Sequence, residues 1–383
     1  MRIDYANNDP DRLKWVEASF ANYLQEKLFI AFREAKRGKR ATRDEQRFEL
    51  NADENLMLLR WDLLDRTYTS SRGTAHIIHR PVMREIFAAP FRDRVVHHYI
   101  YDAVYDWWDR RFIYDSYSCR EDKGTLMGIR RLNYHIRSVS RNYAEEVYIL
   151  KLDIQGYFMS LPRKELYARA LWGLEQQYAG RLDSSEFLLL KFLWHQIIFD
   201  DPVKGVVRKG RLSDWDILPS NKSLFCQEPG IGIVIGNLTS QLLSNIYLDM
   251  LDRFVVYDLG YKHYGRYVDD FYIVVREAEL PQLLRDVRAI EMFLKGIKLT
   301  LHPHKRMLTT ARRGVPFLGA MVHQGYILPG ERLKRNFREA CVKVQAGAKD
   351  VETLVSYLGH VEHFDRMKFL AHEFERIGLD YNY

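Results

Sequence analysis

Two adjacent carboxylates, Asp269 and Asp270, lie in the stretch YGRYVDDFYIVV, between a polar segment that contains glycine and an apolar run. The run from Phe271 to Val275 has the composition of a β-strand, so the pattern predicts a hairpin with the two acids at its tip. Like charges in a tight turn repel each other unless a cation neutralises them, and a divalent metal commonly does so. The stretch predicts a metal-binding carboxylate pair, with an Asp pair that merely caps a hairpin as the alternative.

A third carboxylate, Asp153, follows a second apolar segment. The residues from Val147 to Leu152 read as a buried central strand, and Asp153 stands where that strand should leave the core. If both segments belong to one antiparallel sheet, the three acids converge. Three such carboxylates can hold two metal ions roughly 3.5 to 4 Å apart, which activates an attacking hydroxyl and stabilises a leaving pyrophosphate. The sequence therefore predicts nucleotidyl transfer, with Phe158 beside the sugar of the incoming nucleotide.

Length and composition indicate a folded protein with a basic surface. The chain has 383 residues, of which 47% are hydrophobic, enough for one large domain or two to three subdomains. Lys and Arg number 58 against 51 Asp and Glu, which gives a net charge of +7 and a pI near 9.1. This moderate excess favours a polyanionic partner only weakly. The 24 tyrosines suit a surface that stacks on bases, although most of them must be core.

Cysteine usage and hydropathy predict an intracellular protein. Cys119, Cys226 and Cys341 are far apart in sequence and lack the pairwise spacing of a metal site, so we expect reduced thiols. No apolar run approaches the roughly 18 residues of a membrane span, and the N-terminus MRIDYANNDPDR lacks the apolar region of a signal peptide. The sequence predicts a cytoplasmic protein without a membrane partner.

Several other segments must position the acids or the substrate. The run AHIIHRPVMREI predicts two strands that turn at Pro81, with Arg80 and Arg84 placed to hold a triphosphate, although exposed charges on hairpins are common. The periodicity predicts helices over Asp11 to Ala35, Asn55 to Leu64, Phe91 to Trp108, Leu126 to Ser138, Arg163 to Ala179, Ser184 to Phe199, Leu333 to Lys349 and Val351 to Ile377.

Two segments each allow two interpretations. The basic stretch from Phe32 to Arg47 could grip phosphates or form a solvated helix end. The polar insert from Asp200 to Gly230 could contact a template or be a surface excursion. His97 and His98 interrupt an apolar helix face, and because no convincing ligand set accompanies them we assign them no metal.

Five motifs carry a family resemblance. In order, KLDIQGYF, IGNLTSQLLSNIYLDMLD, YGRYVDDF, HPHKR and GVPFLGA resemble the palm motifs of prokaryotic reverse transcriptases, above all those of diversity-generating retroelements. FRDRVVHHYI, FIYDSYSCREDKGT and SYLGHVEHF resemble fingers and thumb segments of the same enzymes, so the similarity covers nearly the whole chain. Bacterial antiphage-defence reverse transcriptases are similar too.

The resemblance implies a fold and a domain order. The expected fold is α/β, of the α+β kind: a right-hand polymerase with an antiparallel palm sheet, mostly helical fingers and a small helical thumb. The expected segments are an N-terminal helical and basic part at 1–72, fingers at 73–146, a palm at 147–325 with an insert at 200–230, and a thumb at 326–383.

The resemblance also implies roles for individual residues. Asp153, Asp269 and Asp270 match the catalytic metal-binding triad, with the carbonyl of Ile154 as a further ligand, and Lys305 matches the proposed acid for the leaving pyrophosphate. Nucleotide-binding positions are matched by Arg80, Arg84, Phe158, which would exclude a ribose 2′-hydroxyl, Gly236 and Gln241. The primer grip is matched by Phe317, Leu318 and Gly319.

The implied activity is RNA-directed DNA synthesis with two Mg²⁺ ions, or Mn²⁺ in their place. The expected partners are a structured non-coding RNA template, deoxynucleoside triphosphates, the DNA product, and an accessory protein or a second reverse transcriptase. Ile235 stands where most reverse transcriptases have a glutamine, so we expect a looser hold on the nascent pair and low fidelity. A non-polymerising nucleic-acid-binding scaffold and an RNA-copying RNA polymerase are the alternatives.

Overall fold

The structure is a computed structural model that describes residues 10–38, 42–80, 82–347, 352–365 and 367–376. Its helices are α1 (Pro10–Lys36), α2 (Arg43–Leu50), α3 (Ala52–Leu64), α4 (Phe91–Asp109), α5 (Thr125–Val139), α6 (Tyr157–Ser160), α7 (Arg163–Gln177), α8 (Ser185–Phe199), α9 (Ser213–Ile217), α10 (Leu238–Arg253), α11 (Leu280–Gly296), α12 (Glu331–Gln345), α13 (Glu352–Val361) and α14 (Met367–Arg376). Its strands are β1 (Thr74–Ile78), β2 (Arg84–Ala88), β3 (Val147–Asp153), β4 (Val207–Lys209), β5 (Tyr264–Tyr267), β6 (Asp270–Arg276), β7 (Met307–Thr310), β8 (Val315–Phe317), β9 (Ala320–Val322) and β10 (Ile327–Pro329).

The chain divides into two compact units. The first comprises the described residues of Met1–Phe112, Gly156–Met250 and Ile297–Leu299. The second comprises those of Ile113–Gln155, Leu251–Gly296 and Thr300–Tyr383. The mixture of helices with antiparallel sheets confirms the predicted fold class, whereas the four-segment domain order stays a prediction.

A four-stranded sheet in the order β5-β6-β3-β7 forms the centre of the second unit. All of its neighbouring strands pair antiparallel. β3 lies between β6 and β7, and its residues Val147, Ile149, Leu150 and Leu152 are buried because both of its edges and both of its faces are covered. The predicted central strand, the predicted hairpin and the antiparallel sheet are therefore confirmed.

Two further groups of elements complete the second unit. α5 packs against the four-stranded sheet through Ile129, Leu132 and Ile136, which share a core with the small antiparallel sheet β8-β9-β10. α12, α13 and α14 surround a separate core, which among the described residues includes Phe337, Ala340, Cys341, Leu354 and Leu370. The predicted C-terminal helical region is thus two helices, and its residues 351, 366 and 377 lie outside the described residues.

The first unit contains the predicted β1–β2 hairpin, although Pro81 at its turn lies outside the described residues. The insert adds a third strand, because β4 pairs parallel with β1. Glu85 on β2 is fully buried and accepts hydrogen bonds from the insert's Trp215 Nε1 at 2.7 Å and Leu224 N at 2.8 Å. The insert is therefore a packed part of this sheet, and its contact with a template stays a prediction.

Helices form much of the rest of the first unit. α1 packs on α3, α4 and α8, and its residues Leu24 and Leu28 are fully buried. The basic stretch that follows includes residues 39–41, which lie outside the described residues, so its phosphate contact stays a prediction. Within the described ranges, no helix is long and apolar enough to cross a lipid bilayer.

Candidate active site

Neighbouring strands bring the acids together in the second unit. In the antiparallel pairing of β3 with β6, Asp153 lies directly opposite Asp270. Directly opposed residues have Cα atoms about 4.5 to 5.5 Å apart and point to the same face of a sheet. Asp269 occupies the two-residue turn between Tyr267 and Asp270, which are themselves paired. The hairpin and the central strand thus gather three carboxylates from two distant parts of the sequence.

The turn that carries Asp269 is strained and held from two sides. Val268 has a φ of +54°, a conformation that costs a β-branched residue about 1 to 2 kcal/mol. Arg266 Nη1 donates a hydrogen bond to the Val268 carbonyl at 3.0 Å. The Ile154 N–H donates to the Asp269 carbonyl at 3.0 Å, while the role of the Ile154 carbonyl as a metal ligand stays a prediction. These bonds fix the backbone on which Asp269 stands.

A buried ion pair lies behind this turn. Arg266 and Asp252 are both fully buried, and Arg266 donates from Nε and Nη2 to the two carboxylate oxygens of Asp252, at 2.6 Å each. Tyr264 donates to the same carboxylate at 2.7 Å, and Arg266 Nη2 also donates to Ser116 Oγ at 3.2 Å. The sequence did not predict this pair. Arg266 lies in the polar, glycine-containing segment that precedes the two acids, so its burial had no clear signal in the sequence.

Two lysines contact the acids. Lys305 Nζ lies 3.0 Å from each carboxylate oxygen of Asp153, and Lys151 Nζ lies 3.0 Å from Asp270 Oδ2. Lys305 was expected at the site from sequence, whereas Lys151 was missed. The period of two along β3 places Lys151 on the same face as Asp153, a signal that could have found it. The Lys305 side chain is 57% exposed and that of Lys151 only 23%, so Lys305 is the freer of the two to move.

Asp270 has an environment that suits a cation. Its Oδ1 is buried and has no hydrogen-bond partner within the described part of the chain. Burial raises the pKa of Asp270 to about 6, the charges of Asp153 and Asp269 add to the rise, and Lys151 opposes it. Mg²⁺ prefers anionic oxygen ligands, and a bound cation would relieve the repulsion among these carboxylates. The residues therefore fit the expected metal.

The side chains are not arranged as a complete ligand set. Among the described residues, no three His, Cys, Asp or Glu side chains are placed together to hold a metal ion. Lys305 and Lys151 instead supply positive charge to Asp153 and Asp270. Metal binding stays a prediction, and it requires Lys305 to release Asp153, while Asp270 still has the Oδ1 oxygen that Lys151 does not contact.

The expected primer-grip residues form the tip of the β8–β9 hairpin. Leu318 and Gly319 both have positive φ, +50° and +86°, as a two-residue type I′ turn requires. Phe317 is only 1% exposed and packs edge-on against Tyr272 on β6, with ring centroids 5.1 Å apart. Phe317 is therefore a core residue that connects this hairpin to the strand of Asp270, and the primer contact of Phe317, Leu318 and Gly319 stays a prediction.

The expected nucleotide-binding residues lie in the first unit. Arg80 and Arg84 are exposed on the β1–β2 hairpin, and Gln241 is exposed on the first turn of α10. The carbonyl of Phe158, on α6, accepts a hydrogen bond from Ile233 N at 2.9 Å. The structure thus joins Phe158 to the chain just before Gly236, while the nucleotide-binding roles of all five residues stay predictions.

Gly236 itself lies against β2. The Phe87 N–H donates to the Ile235 carbonyl at 2.8 Å, which brings the two backbones together. A Cβ atom added at Gly236 would lie 2.1 Å from the Phe87 carbonyl oxygen. Only a residue without a side chain allows this close approach. The packing against Phe87 therefore requires glycine at position 236, whether or not this residue contacts a nucleotide.

We expect Gly236→Ala to destabilise the protein by about 3 kcal/mol, because the new Cβ clashes with backbone and φ is +132°. Gly180→Ala is the matched control, since Gly180 also has positive φ but open space around its Cβ position. The control should lose only about 1 kcal/mol. Urea denaturation of both variants measures the difference, and equal losses would show that the contact with Phe87 is unimportant.

Comparison with known proteins gives structural neighbours only. No protein-family model matches the chain, and no characterised protein matches it in sequence. Telomerase structures from Candida albicans and Candida tropicalis, each in complex with a TWJ fragment of telomeric RNA, are similar to this chain at 12% and 11% identity. They cover 87% and 81% of this chain, which spans only 62% and 54% of theirs, and both TM-scores are 0.48. A similarity at this level does not decide the function.

Proposed function

We propose that the protein is an RNA-directed DNA polymerase. The observation that carries the proposal is the pairing of Asp153 with Asp270 on adjacent strands, with Asp269 in the turn beside them. The ordered motifs that resemble prokaryotic reverse transcriptases support it, as does the mixed α/β fold with an antiparallel sheet. The reaction is attack of a primer 3′-hydroxyl on the α-phosphorus of a deoxynucleoside triphosphate, which forms a phosphodiester and releases pyrophosphate.

Asp153, Asp269 and Asp270 would hold the metal ions in this reaction. Bound Mg²⁺ supplies activation of the attacking hydroxyl and stabilisation of the charge on the leaving pyrophosphate. The Oδ1 of Asp270, which is buried and has no hydrogen-bond partner among the described residues, would be one of the ligand atoms. The ion pair of Arg266 with Asp252 positions the turn, because Arg266 also binds the Val268 carbonyl.

The two lysines have separate roles in the proposal. Lys305, exposed and bonded to Asp153, moves from that carboxylate and donates a proton to the pyrophosphate oxygen. Lys151, less exposed, stays beside Asp270 and limits the rise of its pKa, so that the carboxylate is ionised at neutral pH. Both lysines also compensate the acids' charge before substrate binds.

The template proposed for this polymerase is a dedicated structured non-coding RNA that is copied into cDNA. The motif resemblance supports two settings, a diversity-generating retroelement and an antiphage defence system. An accessory protein or a second reverse transcriptase is a further proposed partner, and the cytoplasm is the proposed location. Sequencing the nucleic acid that copurifies with the protein distinguishes the two settings, because a variable-gene template and a short repetitive template differ.

A second candidate function is a nucleic-acid-binding scaffold that does not polymerise. The observation in its favour is that Lys305 and Lys151 contact Asp153 and Asp270 and offset their negative charge. Primer extension on an RNA template with Mg²⁺ and deoxynucleoside triphosphates distinguishes the polymerase from the scaffold. The polymerase proposal requires extension by the wild type and none by Asp269→Ala/Asp270→Ala; a scaffold gives no extension in either case and unchanged RNA binding in both.

Phe158→Ala tests the sugar specificity. If the ring of Phe158 excludes a 2′-hydroxyl, its removal should raise ribonucleotide incorporation relative to deoxynucleotide incorporation by about tenfold or more. Phe199→Ala is the control, because Phe199 is a partly exposed aromatic on α8. The ratio of kcat/KM for each ribonucleotide to that for the matching deoxynucleotide measures this specificity in the wild type and both variants. An enzyme that already prefers ribonucleotides before substitution would be an RNA polymerase instead.

A further inference from the structure

Arg163, the first residue of α7, is a buried cation whose guanidinium binds the backbone. Arginine is seldom buried without a compensating partner, since the charge loses its hydration. Burial lowers the pKa of Arg163, and the charges of Asp201 and Asp200 oppose this shift. Among the described residues, its side-chain hydrogen bonds go to main-chain carbonyl groups and not to a carboxylate. A guanidinium used in this way fixes the course of the chain around it.

The two carbonyl groups that Arg163 binds belong to opposite ends of the insert. Nη1 donates to the Asp200 carbonyl at 2.5 Å, where the insert begins, and Nε donates to the Gly232 carbonyl at 2.7 Å, just after it ends. The Arg163 N–H also donates to the Gly230 carbonyl at 2.9 Å. Because the guanidinium presents its donors in one rigid plane, a single side chain can hold both ends in a fixed relation.

The segment after the insert runs beside α6 and is bonded to it. The Gly232 N–H donates to the Leu161 carbonyl at 2.7 Å, and the Ile233 N–H donates to the Phe158 carbonyl at 2.9 Å. An isolated antiparallel bridge lies beside these bonds. Arg163 therefore holds one end of a short ladder of backbone bonds, and Phe158 lies at the other end.

The same segment is tightly packed against the insert. A Cβ atom added at Gly232 would lie 2.6 Å from the Leu224 side chain and 3.3 Å from the Met159 carbonyl oxygen. The next residues, Val234 and Ile235, pack against the apolar cluster that contains Met159 and Leu224. Closely packed groups transmit a displacement to their neighbours. A shift of Gly232 would therefore move the chain on both sides of it.

We infer that Arg163 is a positioning residue for sugar selection, which sets the place of Phe158 relative to Gly236. Its bonds to the carbonyl groups hold the segment that leads to Gly236, and the bond from Ile233 carries this constraint to Phe158. Arg163 acts through the backbone and contacts no substrate. The inference rests on the proposed function, because it concerns which nucleotide the polymerase accepts.

The test uses two substitutions of Arg163 and one matched control. Arg163→Met removes both carbonyl bonds, whereas Arg163→Lys keeps the charge but lacks the planar fork that binds two carbonyl groups at once. The control is Arg169→Met on the same helix, because Arg169 Nη2 binds the buried Asp249 on α10 at 2.8 Å, away from the segment after the insert. Urea denaturation shows that each variant is folded, and Arg163→Lys carries the test if Arg163→Met is not.

Primer extension with matched nucleotides measures the sugar selection. Arg163→Met should raise the ratio of kcat/KM for a ribonucleotide to that for the deoxynucleotide at least about fivefold, and KM for the deoxynucleotide should change more than kcat. Arg163→Lys should show most of this rise, whereas Arg169→Met should leave the ratio within about twofold of the wild type. In the Phe158→Ala background, Arg163→Met should add nothing, because both substitutions act on the same ring. An unchanged ratio in active Arg163→Met protein, or two effects that multiply in the double variant, would overturn the inference.

Hydrogen exchange of the full chain gives a second readout that does not need activity. The N–H groups of Gly232 and Ile233 should exchange at least about tenfold faster in Arg163→Met than in Arg169→Met, because the segment opens more easily without its carbonyl bonds. Equal exchange in these two variants would also overturn the inference. A wild type that extends no primer would contradict the proposed function and the sugar-selection role together, whereas the unchanged ratio in an active variant contradicts the role of Arg163 alone.

Discussion

Asp270→Asn should lower Mg²⁺-dependent primer extension at least about a thousandfold while leaving the folded protein intact. Loss of a carboxylate ligand removes several kcal/mol of transition-state stabilisation, and each 1.4 kcal/mol is a factor of ten in rate. Asp258→Asn is the matched control, because Asp258 is exposed in the same unit. Steady-state extension on an RNA template compares the two variants, and activity within tenfold of the wild type would contradict a metal-binding role for Asp270.

The same substitution has a stability effect that depends on pH. Burial raises the pKa of Asp270 from the ordinary value of 3.8 to about 6, so between these values the folded state retains a proton that the unfolded state has lost. The contribution of this group to stability is therefore fully present below about pH 4 and is lost as pH rises through 6. The difference between the two pKa values corresponds to about 3 kcal/mol.

Asn cannot ionise, so the variant should not show this loss. In the presence of a chelator, Asp270→Asn and the wild type should have similar free energies of unfolding near pH 4. At pH 8 the variant should be the more stable by up to about 3 kcal/mol. Urea denaturation at both pH values measures the change. A constant difference between the two proteins across this range would show that Asp270 is not a buried, destabilised carboxylate.

Arg266→Met should destabilise the protein by about 3 to 5 kcal/mol, since it leaves the Asp252 carboxylate buried without its cation. It also removes the hydrogen bond to the Val268 carbonyl, so primer extension by the remaining folded protein should fall. Arg276→Met on the exposed end of β6 is the control and should cost less than about 1 kcal/mol. Urea denaturation and extension at a temperature where both variants are folded measure the two effects.

Replacing both partners separates the effect of the unpaired Asp252 charge on stability from the effect of the lost Val268 hydrogen bond on activity. Arg266→Met/Asp252→Leu should be more stable than Arg266→Met alone, because no unpaired charge is then buried. Extension should nevertheless remain low in the double variant, since the bond to Val268 is not restored. If the double variant regained full activity, the ion pair would be merely structural and would not position the turn.

Much of the site could be predicted because it depends on strand composition. The apolar run before Asp153 and the apolar run after Asp270 each specify a strand. Antiparallel pairing of these two strands then places the acids opposite each other. The hairpin of Arg84 was predictable for the same reason. Local composition is the information that a single sequence carries most directly.

The unpredicted features depend on contacts between distant residues. The pairing of Arg266 with Asp252 joins a strand to the end of α10, and nothing in either segment shows that both charges are buried. The left-handed conformation of Val268 is imposed by its surroundings against its own preference. The packing of the insert depends on Glu85, whose partners lie more than a hundred positions further along the chain.

The most direct test of the account is the binding of Mn²⁺ in place of Mg²⁺, followed by electron paramagnetic resonance of the free ion. The wild type should bind two Mn²⁺ per chain when an RNA template, a chain-terminated DNA primer and the matching deoxynucleoside triphosphate are present. Asp269→Ala/Asp270→Ala should lose both ions while still binding RNA. Equal Mn²⁺ binding by both proteins, or none by the wild type, would contradict the claim that Asp153, Asp269 and Asp270 form the catalytic metal site.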